Sequence, residues 1–562
     1  MGIAATSVEL RTMAARGNLN YAPTQFELSD NVCQAGVLFL VPALCSQGLL
    51  RGMEVYDPLK PGYYGLLQIL LLLCIMYLSR IKNPEQLKQC KPGELGKLMG
   101  LDRVPEVKCL RGKISEIVDQ HKAEAFNRML FREWLDEQQP GSFFFYIDGH
   151  VKVYSGHKAT LPKKHVSRQK LCLAGTTEYW VNNEQGLPYL VVTEELNYKL
   201  KAAIIDLILP ILLKEAASLV DQDLLEKDPE MPRFTIVFDR EAYEPAFFGM
   251  LWKEHRVAVI TYRKNVQDKW EESLFEETDV KVINNDVEMR IYEKPLEISG
   301  VKMREIRKLG KTGHQTAILT TNPKITKKEV AGKMFSRWSQ ENFFKYGIAN
   351  YDLDKLIQYG TEEIDLKKWV VNPAYSRLTN ELKKLREKKA RVQARLFDIV
   401  EKNIDQDIEA VRDSLAEAGD LQENRADLDQ RIEQKISRRK QQPSRIRLGE
   451  MPKNKRYNKL KSESKLFINT IKMIAYRAES AMVSTITPFY KRANQEARML
   501  IKEIIKSDAD LKPDYQNKTL TVTLHSLSTP RANKAAAELA QIINETETIY
   551  PGTELKLFFK TV

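Results

Sequence analysis

Cysteine and histidine are scarce in this chain of 562 residues, which contains six of the first and seven of the second. All six cysteines lie in the first third of the sequence, and none is two to four residues from another. Zinc sites and disulfide scaffolds need closely spaced cysteines, so we expect neither. The thiols fit a reducing compartment and are most simply read as small buried apolar side chains.

Long apolar runs are also missing. The longest, LLQILLLLCIMYL at residues 66–78, is shorter than the roughly 20 residues that a helix needs to cross a bilayer. We therefore expect a buried helix there and not a membrane-spanning one. The N-terminus lacks the charged start, apolar segment and cleavage site of a secretory signal, so we expect a cytoplasmic protein.

Positive charge is in excess: 87 Lys and Arg stand against 75 Asp and Glu, a formal net charge of +12. This balance favours an anionic partner, either nucleic acid or a membrane surface. The content of 43% apolar and 29% charged residues is typical of a soluble globular protein. At about 100–200 residues per domain, the length predicts several domains.

The apolar pattern divides the chain into five regions. Aromatic and β-branched strands combined with helices in the middle region predict a mixed α/β sheet. Highly charged helices follow, which predict a helical hairpin or a short coiled coil, then a basic linker that is either disordered or a phosphate-contacting strap. We predict a flexible N-terminus at 1–30, a helical region at 31–138 that could bind DNA, a core at 139–360 with a β-rich insertion at 266–326, a charged helical region with the basic linker at 361–465, and a helical and β-α-β region at 466–562.

Residues 93–115 outline a helix-turn-helix inside the helical region. A short helix is followed by a break at Gly100 and by a second helix that carries Lys108, Arg111 and Lys113. In a DNA-binding protein the second helix would enter the major groove. Two ordinary packed helices with solvated basic residues explain the same pattern.

Three acids stand where an interior disfavours charge. Asp148 ends the first apolar strand, in FFFYIDGH, Asp239 ends FTIVF, and Glu341 lies on the helix FSRWSQENFFKY. The first strand and the strand after the covering helix tend to lie side by side, so we expect Asp148 next to Asp239. Two carboxylates in one pocket raise each other's pKa unless a cation neutralises them. A carboxylate-rich, histidine-poor site favours Mg²⁺ or Mn²⁺ over zinc.

Cationic residues lie on the same predicted helix face as Glu341. Arg337, Glu341 and Lys345 are spaced by four, so they stack on one face. That face would suit a metal ligand bordered by groups that hold phosphate oxygens. A salt-bridge ladder explains the same spacing.

Two further polar residues accompany the aspartates. His150 is offset by two from Asp148 and returns to the same strand face, where it either joins the site or is a hydrogen-bonded structural residue. Arg240, directly after Asp239, either braces the site or forms an ion pair at the start of a helix.

Taken together, these stretches resemble the DDE transposases of bacterial insertion sequences. They resemble more narrowly the group whose core carries a β-strand insertion between the second Asp and the Glu. FDREAYEP contains the group's Asp-Arg-Glu signature at the second acid, and Arg337 with Glu341 in SRWSQENFFKYG matches its Arg-three-residues-Glu signature. Met334 and Ile348 stand where the group usually has Tyr and Lys, and Lys345 could replace that Lys one turn earlier.

The resemblance implies a ribonuclease-H-like core and phosphoryl transfer on DNA. It assigns Asp148, Asp239 and Glu341 as catalytic residues that hold two Mg²⁺ or Mn²⁺ ions. Arg337, Lys345, Arg240 and His150 become candidates for DNA or phosphate contacts. The implied partner is double-stranded DNA, at transposon ends and target, and not a membrane. The protein would bind it as a homodimer in the bacterial cytoplasm or nucleoid.

Two other classes fit parts of the sequence. A different ribonuclease-H-like nuclease, such as a junction resolvase, would share the acids, but the β-insertion and the Asp-Arg-Glu stretch argue against it. A transposase-derived DNA-binding protein or helical scaffold without catalysis would share the basic charge. The three intact acids argue against this second class, because binding alone does not need them.

Overall fold

In the computed structural model, the described residues begin with a helical region that starts at residue 3. The structure describes residues 3–136, 143–156, 159–166, 170–216, 222–283, 285–355, 361–402, 408–453, 456–490 and 494–562. Two compact units form: one contains Met1–Ser155, Pro162–Gly360 and Lys461–Val562, and the other contains Gly156–Leu161 and Thr361–Leu460. The predicted boundary at 138 lies outside the described residues.

Helices dominate the first part of the larger unit. Every residue of the apolar run at 66–78 except Leu67 is buried inside one helix, which confirms the predicted buried helix. In the described part of the chain no single helix could span a bilayer, whereas one bent pair, Ala35–Ser46 with Leu49–Val55, has the length and composition to do so. The elements are α1 Val8–Ala15, β1 Ser29–Val32, α2 Val41–Ser46, α3 Gly52–Val55, α4 Leu66–Leu78, α5 Pro92–Lys97, α6 Val107–Val118 and α7 Ala123–Asp136.

The outline of a helix-turn-helix corresponds to α5 and α6. Lys108 on α6 is exposed, as either interpretation requires. Lys113 is buried, which corrects the prediction that it is solvated. Its Nζ donates to the carbonyl oxygen of Lys60 at 3.0 Å and pairs with Glu116 at 3.1 Å, so these partners hold it inside the unit. A DNA-reading role for α6 stays a prediction.

The middle of the chain forms a mixed α/β sheet of ten strands, which confirms the predicted fold class. Residues 276–320 supply four antiparallel strands, as predicted for the β-rich insertion. The elements are β2 Phe144–Val153, β3 Lys163–Val166, β4 Leu171–Asn182, β5 Pro188–Glu195, α8 Leu200–Ala203, α9 Leu209–Glu215, α10 Gln222–Lys227, β6 Phe234–Phe238, α11 Pro245–His255, β7 Val257–Tyr262, β8 Glu276–Val282, β9 Asn285–Ile298, β10 Val301–Leu309, β11 Gln315–Thr320, α12 Lys327–Phe335 and α13 Trp338–Tyr351.

The strand order is β3-β4-β2-β6-β7-β11-β10-β9-β8, and β5 also pairs with β4. Strand β2 is antiparallel to β4 and parallel to β6, and β6 is parallel to β7. The insertion strands continue the same sheet, because β11 pairs antiparallel with β7. Alternate residues of β2 enter different hydrophobic clusters: Phe145 and Ile147 join the large core, and Tyr146 joins a second one.

Strand β4 is longer than its sequence indicates. We expect two strands, QKLCLAG and TEYWV, but one strand runs through both. Gly175 lies opposite Val153 of β2. A Cβ atom at Gly175 would lie 2.1 Å from the carbonyl oxygen of Lys152. The glycine therefore allows close approach of β2 and does not end the strand.

The smaller unit contains two long helices that pack against each other, as the predicted helical hairpin requires. Lys389 pairs with Asp429 across them at 2.5 Å. The basic linker contributes two short paired strands, Arg445–Arg447 and Asn458–Leu460, so these two segments are not a disordered loop. The elements are β12 Thr361–Glu363, β13 Trp369–Val371, α14 Pro373–Lys402, α15 Ile408–Lys440, β14 Arg445–Arg447 and β15 Asn458–Leu460.

The C-terminal part returns to the larger unit. Strands β17 and β18 are parallel and flank α18, which confirms the predicted β-α-β ending. Strand β1 pairs with β16, so the residues around 30 belong to a four-stranded sheet, β1-β16-β17-β18. The elements are α16 Ser462–Ile486, α17 Asn494–Lys506, β16 Ala509–Asp514, β17 Thr519–Leu524, α18 Pro530–Asn544 and β18 Lys556–Thr561.

Candidate active site

Strand register places two of the acids side by side. Ile147 of β2 lies opposite Phe238 of β6 in the parallel pair, and the next residues are Asp148 and Asp239. Strand β2 does not end at Asp148 as expected from the sequence but continues to Val153 as the partner of β4. Asp148 thus stands where pairing with β6 stops and pairing with β4 goes on.

Asp239 ends its strand with a hydrogen bond between its side chain and the backbone two residues further on. Its Oδ1 accepts from the backbone N–H of Glu241 at 2.8 Å, which begins a short 3-10 turn. All five residues of β6 before it are buried. An apolar strand and a local cap together fix this carboxylate at the strand end.

The third acid is positioned by a glutamine next to it. Gln340 on α13 is buried, and its Nε2 donates to the carbonyl oxygens of Tyr146 and Trp180 at 3.1 and 3.2 Å, and to Oδ1 of Asn182 at 2.9 Å. These bonds attach the first turn of α13 to β2 and β4. Glu341 is consequently held over the ends of the strands.

Arg337, directly before α13, contacts all three acids. Its guanidinium nitrogens lie 3.5 Å from Asp148 Oδ2, 3.8 Å from Asp239 Oδ2 and 3.9 Å from Glu341 Oε1. These distances exceed the roughly 2.7–3.2 Å of N–H···O hydrogen bonds. Arg337 Nε is buried and has no hydrogen-bond partner among the described residues. We call Arg337 with these three acids the Arg337 cluster.

The charges of the Arg337 cluster are not balanced. Burial raises the pKa of Asp148 to about 6, and the nearby charge of Asp239 adds to this effect, whereas Arg337 opposes it. Three carboxylates thus surround one cation. An additional positive charge would stabilise all three ionised forms.

The other predicted cations lie around this cluster and not in it. Lys345 is exposed, and its Nζ lies 5.5 Å from the ring centre of Trp338. Within the described residues Lys345 forms no ion pair with Glu341, so the predicted ladder has a single contact, between Arg337 and Glu341. Arg240 lies over the ring of Tyr262, 5.5 Å from its centre.

His150 has an environment that favours the structural interpretation. It is 1% exposed, and its ring stacks on Phe344 with 5.0 Å between ring centres and 14° between planes. It shares a strand face with Asp148, as its offset predicts. The aromatic cover separates it from solvent.

Two residues that border the site were not found from the sequence. Tyr262 ends β7 beside β6, and burial raises its pKa. Trp338 is 56% exposed, which is unusual for so large an apolar side chain. The strand-end argument used for the aspartates points equally to Tyr262, whereas no sequence pattern distinguishes an exposed tryptophan from a buried one.

Comparison with known proteins gives the family. A family model described as "Transposase protein" matches residues 2–562. The chain belongs to this transposase family. No curated protein matches it.

One solved structure is similar to part of this transposase: a cryo-EM structure of the piggyBac transposase synaptic complex with hairpin DNA. The sequences are 11% identical, the alignment covers 51% of this chain and 57% of the other, and the TM-score is 0.27. The transposase thus spans little more than half the length of that protein. A TM-score of this size does not establish a shared fold.

The acids of the transposase fit a hard divalent cation in chemistry and charge. Carboxylate oxygens are the donors that Mg²⁺ and Mn²⁺ prefer, and the cluster has two more negative than positive charges. As the side chains stand, no three Asp, Glu, His or Cys residues in the described ranges are close enough to hold one ion. Arg337 lies between them, so an ion would take the place of its guanidinium.

Proposed function

We propose that this transposase cuts and joins DNA by divalent-metal-dependent phosphoryl transfer at Asp148, Asp239 and Glu341. The observation that carries the proposal is the approach of these acids, from β2, β6 and α13, to one guanidinium. Nearly 200 residues of sequence separate the first acid from the last. Their meeting agrees with the resemblance to the DDE transposases of bacterial insertion sequences.

The sheet topology supports a ribonuclease-H-like core. In the order β5-β4-β2-β6-β7, β4 is antiparallel to both β5 and β2, whereas β6 is parallel to both β2 and β7. Asp148 lies on β2, and Asp239 directly follows β6. The four insertion strands extend this sheet between Asp239 and Glu341. This arrangement matches the group with a β-insertion and the Asp-Arg-Glu signature.

Each residue of the cluster has a defined task in this proposal. Bound divalent ions supply activation of the attacking water or 3′-hydroxyl and stabilisation of the leaving oxygen. Asp148, Asp239 and Glu341 hold the ions, and the pKa of Asp148, about 6, leaves it ionised at neutral pH. Arg337, once released from the acids, donates its planar fork to non-bridging phosphate oxygens.

The borders of the site suit a nucleic acid. Trp338 offers an exposed ring for stacking on a base, and Lys345 beside it offers a point charge for a phosphate. The net charge of +12 supplies long-range attraction to DNA. We propose double-stranded DNA as the substrate, with the protein bound as a homodimer at paired ends.

A cleavage assay tests this function. The full chain is incubated with a labelled DNA fragment that carries the flanks of its own gene, with Mg²⁺ or with EDTA. We expect Mg²⁺-dependent nicks at the element boundary, and none with Asp239→Asn. Nicks that appear in EDTA, or that persist at the full rate in Asp239→Asn, would refute the assignment.

A further inference from the structure

A second charged site lies in the larger unit, away from the acids. A cavity of about 360 Å³ is lined by residues of α6 and α16 and by Lys152 of β2. Its lining includes Lys465 and Lys472 of α16 and Lys461, the residue directly before that helix. Among the described residues that line it, Asp119 is the one acid. We call it the lysine cavity.

The lysines of this cavity are buried, which is rare for this residue type. Lys152, Lys465 and Lys472 are 1%, 8% and 5% exposed. One fully buried carboxylate, Glu178, serves two of them: it lies 2.8 Å from Nζ of Lys152 and 3.0 Å from Nζ of Lys465. A single negative charge is therefore shared between two ammonium groups.

Lys472 adds a third charge without an acid of its own. Its Nζ donates to the carbonyl oxygen of Asp352 at 3.3 Å and lies 5.3 Å from the ring centre of Tyr77. In the part of the chain that the structure describes, no carboxylate lies within ion-pair distance of it. The side chain of Asp352 is engaged elsewhere, with Lys82 at 3.4 Å and Lys355 at 2.9 Å.

Desolvation makes this surplus of cations unfavourable in the empty cavity. Burial lowers the pKa of Lys472 to about 7, and the charge of Lys152 adds to the effect. Burial lowers the pKa of Lys465 to about 8 for the same reason, with Glu178 opposing. An anion placed among these groups would neutralise them and supply acceptors for their unused protons.

We propose that the lysine cavity binds a phosphate group, held by Lys465 and Lys472 inside and by Lys461 at the exposed rim. Lysine binds phosphate as a point charge with freely oriented donors, and the volume lies at the lower end of small-ligand pockets, about 300–1,000 Å³. The phosphate belongs either to a DNA strand or to a small phosphorylated compound. This site does not depend on metal chemistry at the acids.

The position of the cavity relative to Asp148 is set by strand geometry. Lys152 is four residues beyond Asp148 on the same face of β2, and the pairing between them has no irregularity. At about 3.3 Å per residue this is about 13 Å. His150, buried under Phe344, lies between them on that face, so the cavity is a site distinct from the Arg337 cluster.

Binding of inorganic pyrophosphate to the full chain tests the proposal, with EDTA present and ionic strength held constant by NaCl. We expect saturable binding by calorimetry and a matching rise in Tm. Lys472→Met, which keeps the length of the side chain, should weaken binding at least about tenfold. Lys534→Met, an exposed lysine on α18, is the matched control and should bind as the unaltered protein does.

Lys461→Ala keeps the test decisive if Lys472→Met does not fold, because Lys461 is exposed. It should leave Tm without ligand unchanged and weaken pyrophosphate binding severalfold. Absence of saturable binding by the unaltered protein, or equal binding by both cavity variants and the control, would overturn the proposal.

A short DNA duplex then distinguishes the two sources of phosphate. If DNA is the source, the cavity variants also weaken duplex binding and reduce its salt dependence by about one phosphate contact. If a small compound is the source, they lose pyrophosphate and keep their affinity for the duplex. Either result supports the cavity as a phosphate site, and neither requires strand cleavage.

Discussion

Two arginines in the same sheet region show how differently a buried guanidinium can be used. Arg307 on β10 is fully buried, and each of its three nitrogens donates a hydrogen bond of 2.7–2.8 Å, to Glu305 and Asp268. Trp270 covers it with its ring centre at 4.0 Å. Arg337 is 9% exposed in its side chain, yet its three carboxylate contacts are 3.5–3.9 Å and its Nε has no partner in the described residues.

This difference in hydrogen bonding indicates a structural role for one arginine and a functional role for the other. A buried charge whose donors are all satisfied stabilises one arrangement, and its removal leaves its acid unpaired. A buried charge that attracts several acids without hydrogen bonds to them is easily displaced. We therefore interpret the Arg307 group as a structural brace of the insertion, and the Arg337 cluster as the cation site that we propose.

The largest expected effect is on catalysis. Glu341→Gln keeps the shape of the side chain but removes a metal-holding charge, so we expect strand cleavage to fall at least about 100-fold. Glu341 is 41% exposed in its side chain, and Tm should therefore change little. A cleavage assay and a melting curve on the same preparation check both parts. Full cleavage by Glu341→Gln would remove this acid from the site.

The two arginines should differ in their effect on stability: replacing Arg307 should lower the free energy of unfolding more than replacing Arg337. Arg307→Met leaves Glu305 buried with Arg263 alone and should lower the free energy of unfolding by about 2–4 kcal/mol. Arg337→Met removes the cation beside three carboxylates but no hydrogen bond to them, so the loss should be smaller, about 1–2 kcal/mol. Urea unfolding of both variants makes the comparison, and equal losses would contradict the distinction between the two groups.

The pH dependence of stability gives a smaller effect. The folded-state pKa of Asp148, about 6, lies above its ordinary value near 4, so the folded protein favours the protonated carboxyl. This contribution to stability is fully present below pH 4 and is lost as pH rises through 6. In EDTA, the unfolding free energy of the unaltered protein relative to Asp148→Asn should fall by about 1–3 kcal/mol between those values. A relative stability that stays flat or rises over this range would contradict the prediction.

Many of the helices and strands can be predicted from the sequence, because they follow from the local pattern of apolar residues. The apolar strands before Asp148 and Asp239 are evident from their aromatic and β-branched residues, and the strand-end argument places the two acids together. The buried helix at 66–78, the helical hairpin and the β-α-β ending follow from periodicity and length. Predicting Glu341 as a site residue also requires the family signature, because its spacing from Arg337 and Lys345 on the helix fits a salt-bridge ladder equally well.

The remaining features depend on contacts between distant parts of the chain. Lys152 is buried on β2 and donates to Asn469 of α16, more than 300 residues later in the chain. His150 is covered by Phe344, nearly 200 residues later, for a reason that no local pattern contains. Strand β4 looks interrupted at Gly175 because its glycine serves a neighbouring strand.

Metal binding tests the central claim most directly, because it requires neither the correct DNA nor turnover. Mn²⁺ is titrated into the full chain and the free ion is followed by its electron paramagnetic resonance signal. The account predicts binding by the unaltered protein and by Glu545→Gln, an exposed control, and its loss in the double variant Asp148→Asn with Asp239→Asn. Equal Mn²⁺ binding by the double variant and the control would contradict the assignment of the Arg337 cluster as the metal site.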